Sequence, residues 1–170
     1  MEKPIFYFDK TTKWDKITIL LYILLSIGLT VYYMNNSLDN KLQRGILFGY
    51  AIGTHFFLYM FNYKSLRNLK VYFIWFAFGL IHLFIYFKLK DIDYLKYING
   101  HAAIGLRNTV PLLIIFQILR FICAKTIGVE LVAVSRGSAT DLFEERKVTM
   151  IDFMAFAIYI TSLIILLLYV

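Results

Sequence analysis

The sequence predicts an all-α protein, a polytopic bundle of about five transmembrane helices with little mass outside the bilayer. Three observations carry this. Hydrophobic residues fill 60% of the 170 positions and charged residues only 17%, whereas soluble domains sit at roughly 45–50% and about 25%. The mean hydropathy is +0.67, too apolar a surface for water to be the solvent. The apolar residues also fall into runs close to the ~17–25 residues a spanning helix needs, with Lys and Arg gathered between the runs.

Residues 5–16 place Phe6, Tyr7, Phe8 and Trp14 among lysines, the pattern of an interfacial anchor. The first span covers about 17–34. No small-residue cleavage site follows it, so it is expected to stay as a signal anchor rather than be removed. The second span, about 46–62, is short and needs Tyr63 and Lys64 to reach for the boundary. The third covers about 69–89. In 91–98, Ile92, Leu95 and Ile98 stand three apart, which predicts a short surface helix, closed by a turn at Asn99-Gly100. The fourth span covers about 102–124 and the fifth 150–170. Between them lies an inward-facing loop, 125–149. It carries a β-rich run from Val129 to Ser135, then Arg136-Gly137-Ser138, then Asp141 as a helix cap with Glu144 at the capping-box position. The whole of 1–170 reads as one integral membrane domain.

Lys and Arg set the orientation. Lys3, Lys10, Lys13, Lys16, Lys64, Arg67, Lys70, Lys125, Arg136, Arg146 and Lys147 fall on one side, eleven in all, against six on the other. The bias predicts the N-terminus inside and the C-terminus outside. The net charge of +7 is spread over these short loops, which favours anchoring over nucleic-acid binding. Lys outnumbers Arg, and Ile, Phe, Tyr and Asn are abundant. All of these except Arg have AT-rich codons, so the expected home is the inner (plasma) membrane of a bacterium. The single cysteine, Cys123, excludes a disulfide framework or a CxxC redox pair within one chain.

Gly45, Gly49 and Gly53 recur every four residues on the second span. They form a side-chain-free stripe that lets a helix approach closely, and a partner within the bundle is the favoured reading. His55 and His82 lie inside spans, where an ionisable side chain is a functional candidate by default. His55 shares its face with Tyr59 and Asn62, and His82 shares its own with Trp75, Gly79 and Tyr86. Haem between two axial histidines is disfavoured. His55 sits about seven residues from the inner boundary and His82 about thirteen, an offset of about 9 Å. No cofactor is expected. The polar face of His55 and the smooth glycine face oppose each other, which predicts a central second helix. Gln117 and Arg120 share a face of the fourth span. Arg120 and Asp152 lie at similar depth, so a salt bridge between them is expected, with a snorkelling Arg120 as the alternative.

Asp141, Glu144, Glu145, Arg146 and Lys147 make the densest charge cluster. Together with Arg136 they read as a solvated loop that docks a partner or lipid headgroups. Ser-His-Asp, HExxH and Walker patterns are missing, and His101 stands without a companion. The function expected is a non-enzymatic membrane subunit or accessory protein. It would support a larger complex and contact membrane lipid and other integral membrane proteins, or copies of itself. A small transporter or channel built on His55, His82 and Arg120 is the first alternative, and a membrane enzyme acting on lipid at the headgroup surface is the second.

Overall fold

The computed structural model describes residues 7–35, 39–97, 100–134 and 146–168. Among these residues are six α-helices: α1 (Lys13–Asn35), α2 (Asn40–Phe56), α3 (Leu69–Leu89), α4 (Ile104–Arg107), α5 (Thr109–Ile127) and α6 (Met150–Leu168). Four of them, α1, α3, α5 and α6, are long and apolar enough to cross a membrane. Large apolar side chains stand exposed along them, such as Leu21 on α1, Phe84 on α3, Ile118 on α5 and Ile164 on α6. In water that would be an aggregating surface; in lipid it is the ordinary exterior.

Helices α1, α3 and α6 start where the sequence supplies side-chain acceptors for the orphan N–H groups. At α1 the side chains and backbones of Thr12 and Asp15 bond reciprocally, with Asp15 accepting from the Thr12 N–H at 2.6 Å and Thr12 accepting from the Asp15 N–H at 3.1 Å. This is a capping box. At α3, Asn68 accepts from the Lys70 N–H. At α6, Asp152 in the first turn accepts from the N–H and the hydroxyl of Thr149. Gly128, at φ 67°, ends α5 in the left-handed conformation that glycine adopts freely.

The second and fourth spans differ from expectation. Helix α2 starts earlier than 46 and is 17 residues long, then widens into a π turn over Phe57–Phe61. Its α-helical part alone is at the lower limit of spanning length. The fourth span is broken at Asn108 into α4 and α5. Pro111 explains the break. It has no N–H to bond the carbonyl four residues back, and it is tolerated only in the first turn of a new helix.

Two other expectations give way. Residues 93–95 form a single 3-10 turn, followed by a two-stranded antiparallel ribbon, β1 (Lys96–Tyr97) with β2 (Gly100–His101), in place of a surface helix. Ile98 and Asn99 lie outside the described residues. The run from Val129 is no strand among its described positions. It is irregular chain with Leu131, Val132 and Ala133 buried at 0–1% exposure.

The core is one aromatic-rich cluster around Trp75, Tyr59, Tyr63 and Phe116, with a smaller one around Ala51, Leu95 and Leu106. Helix α3 packs on α4 and α5, α5 on α6, and α2 on α4. Helix α1 lies outermost and is held by Tyr22, whose ring meets Trp75 edge-on at 4.8 Å and stacks near Tyr50 at 5.8 Å. The turns at 62–68, the chain at 7–12 and the segment after Gly128 gather at one end of the bundle, tied by bonds such as Leu69 N–H to Tyr7 O and Arg67 to Leu131 O.

Candidate functional site

Two polar systems occupy the interior. The first lies among the helices. His82, 3% exposed, uses both ring nitrogens: Nε2 meets the hydroxyls of Tyr22 at 2.9 Å and Tyr50 at 3.1 Å, and Nδ1 meets Thr109 at 3.0 Å. Tyr22 also meets Thr54 at 3.0 Å, and Tyr50 meets Ser26 at 2.7 Å. One histidine thus joins α1, α2, α3 and α5. His55 is fully buried. Its Nε2–H donates to the Gly105 carbonyl at 2.9 Å, and its own carbonyl accepts from Tyr159.

Each histidine stands about one turn from a small residue that allows close approach. Ala51 precedes His55 on α2, and a Cβ placed on Gly105 would sit 2.7 Å from the Ala51 Cβ. Gly79 precedes His82 on α3, and a Cβ there would lie 3.1 Å from Val110 and 3.4 Å from Thr109. The hydrogen bonds therefore form where α2 meets α4, and α3 meets α5, at close range. Seating an iron between the two rings would require His82 to give up a hydrogen bond.

The glycine stripe is not that junction. Gly45, Gly49 and Gly53 are all exposed, and a Cβ on any of them meets nothing within 4 Å. The expectation of a partner helix within the bundle is corrected: among the described residues, the side chains that pack on α2 lie on its other face, at Leu47, Ala51, Thr54 and His55. Gly49 and Gly53 instead floor an open groove against Trp14, Ile17, Leu21 and Leu25 of α1.

The second system ties down the chain after α5. Arg120, 1% exposed, reaches Glu130 with two bonds of 2.6 and 2.7 Å. Gln117 accepts from Arg120 at 3.2 Å and donates to the Leu66 carbonyl at 2.8 Å. Asp152, fully buried, takes a bidentate pair from Arg146 at 2.7 and 2.8 Å. Arg146 also donates to the Glu130 carbonyl, Arg67 to the Leu131 carbonyl, and the Val132 N–H to Asp152. The expected Arg120–Asp152 bridge is therefore replaced by two others, Arg120–Glu130 and Arg146–Asp152. The left-handed turn at Gly128 explains this, because it sends the chain back toward Arg120 and brings Glu130 within reach.

Of the expected loop cluster, Arg146 is part of this system and Lys147 contributes its carbonyl to it. Arg136, Asp141, Glu144 and Glu145 lie outside the described residues. The sequence reading missed Tyr22, Tyr50, Thr54 and Thr109. Their signal on α1 was a row at Tyr22, Ser26, Thr30 and Tyr33, one polar face hidden within an apolar run. Comparison with protein-family models, with curated proteins and with solved structures finds no match.

Proposed function

We propose that the chain is a small, non-enzymatic integral membrane subunit that packs into a larger membrane complex. The carrying observation is the open glycine stripe. Its three glycines keep their smooth face outward, while close packing inside the bundle is done by Ala51, Gly79 and Gly105. A helix of another protein laid along Gly45, Gly49 and Gly53 gains van der Waals contact that larger side chains would block. The interior supports the same reading. Its histidines and arginines bond neighbouring helices and backbone, as the polar ties of a rigid scaffold do. In this reading the chain crosses five times, with α2 and its π turn as the short crossing and the N-terminus inside. It resides in a bacterial plasma membrane, takes lipid and membrane proteins as partners, and carries neither cofactor nor nucleic acid.

One observation favours transport as a second reading. Ser26, Tyr50, Tyr22, His82 and Thr109 form a continuous hydrogen-bonded chain, the material of a proton relay. The same groups bond α1, α2, α3 and α5 to one another, as structural ties do, so the scaffold reading leads.

The test is a photo-reactive residue placed at position 49, with one at position 84 of α3 as control, irradiated in native membranes. A discrete protein adduct at 49 that is missing at 84 is expected. Lipid adducts alone, or equal labelling at both positions, would overturn the assignment.

A further inference from the structure

A separate cavity, with a volume of about 630 Å³, lies where α1 and α3 begin. The first turns of these two helices mark the edge of their apolar layer, so the cavity sits at headgroup depth. Trp14, 46% exposed, forms its rim, the usual station for an indole at a membrane boundary.

Its lining carries both signs of charge. Lys10, Lys64 and Arg67 contribute cations, and Asp9 and Asp15 contribute carboxylates. Asp9 and Asp15 form no ion pair with Lys10 among the described residues, so the concavity presents both signs of charge to a ligand. Arg67 is fixed in place by its bond to the Leu131 carbonyl at 2.8 Å. Asp15 is 2% exposed. One of its oxygens holds the Thr12 N–H, and the other has no partner among the described residues. A buried carboxylate oxygen left unbonded is costly, and a ligand that donates to it recovers that cost.

The ligand that fits carries a phosphate and a hydrogen-bonding cation a few bonds apart. A phosphoglycerol headgroup would satisfy the lysines but leave two carboxylates facing its negative charge. A choline headgroup has a cation with no N–H to donate. A phosphoethanolamine headgroup offers both a phosphate and three N–H donors. We propose that this cavity binds the headgroup of a phosphatidylethanolamine-type lipid, with the phosphate at Lys10, Lys64 and Arg67 and the ammonium at Asp9 and Asp15.

The test is native mass spectrometry of the full chain in mild detergent. It is titrated with phosphatidylethanolamine, phosphatidylglycerol and phosphatidylcholine of identical acyl chains, and with free phosphoethanolamine. The ethanolamine lipid is expected to bind about tenfold tighter than either other lipid, the gain expected of one charge-assisted hydrogen bond. Asp15→Asn should erase that preference and keep glycerol-lipid binding, and Lys64→Gln should weaken both. Asp9→Asn provides the same readout if Asp15→Asn melts early. Equal or tighter binding of phosphatidylglycerol, or a preference untouched in both aspartate variants, would refute the proposal. Displacement of the lipid by equimolar free phosphoethanolamine would refute the lipid as the source of the headgroup.

Discussion

Arg120 closes on Glu130, ten residues further along the chain, with two hydrogen bonds of 2.6 and 2.7 Å. Glu130 then offers its carbonyl to Arg146, which holds Asp152. The two charges of α5 and α6 are thus coupled through intermediaries and do not touch.

The pair should show in a double-mutant cycle of Arg120→Gln and Glu130→Gln on thermal stability in detergent. Breaking a fully buried pair costs about 3–5 kcal/mol. Glu130 keeps 26% exposure, so a coupling of about 1–3 kcal/mol is expected. A cycle of Arg120 with Asp152 should give less. Equal couplings in both cycles would contradict the geometry.

Gly105→Ala should destabilise by about 1–3 kcal/mol, because the added methyl has no room against Ala51 and overpacked cores strain by that much. Adding Ala51→Gly should recover part of the loss. Gly49→Leu, placed in the open groove, should melt like the unaltered chain. A loss at position 49 as large as at 105 would mean that the groove is closed.

Tyr22→Phe removes a hydroxyl shared by Thr54, Tyr50 and His82 while keeping the ring against Trp75. A cost of about 1–2 kcal/mol is expected, that of leaving buried partners unbonded. An unchanged melting temperature would show that the network does not bind α1 to the bundle.

His101 should make the β1–β2 ribbon sensitive to pH. Its Nδ1 accepts from the Ala103 N–H at 3.1 Å, so the ring must be unprotonated there. Burial, the largest cause, lowers its pKa below the ordinary imidazole value. A lowered folded pKa means the unfolded chain binds the proton more readily. The stabilisation is therefore full above the unfolded value of about pH 6.5 and is lost as pH falls from there through the lowered folded pKa. Amide exchange at residues 100–103 should quicken below it, and His101→Gln should flatten the dependence.

Topology turns on α2. A reporter active only in the cytoplasm, fused after Val170, should stay silent if α2 crosses and the eleven-to-six bias holds. A strong signal would mean an even number of crossings.

The spans were legible because their signal is compositional, and α1, α3, α5 and α6 follow it. The break at Asn108 was also written in the chain, by Pro111, but an apolar run read by hydropathy passes over it. The two faces of α2 were visible in the spacing of Gly45, Gly49 and Gly53 against His55. Which face turned inward was not, because that depends on Gly105 meeting Ala51 across fifty residues. Glu130 escaped notice for a different reason. It sits in a β-branched run that suggests a strand, and its partnership with Arg120 exists only after the reversal at Gly128.

That reversal bears on how the protein enters the membrane. Arg120 leaves the ribosome ten residues before its carboxylate, and Arg146 only six residues before Asp152. Each charge can be neutralised within its own segment, as the hairpin forms, before distant helices have met. Insertion therefore need not carry a bare guanidinium or carboxylate past the lipid headgroups. The buried charges Arg120 and Asp152 can thus be paired before α5 docks on α3.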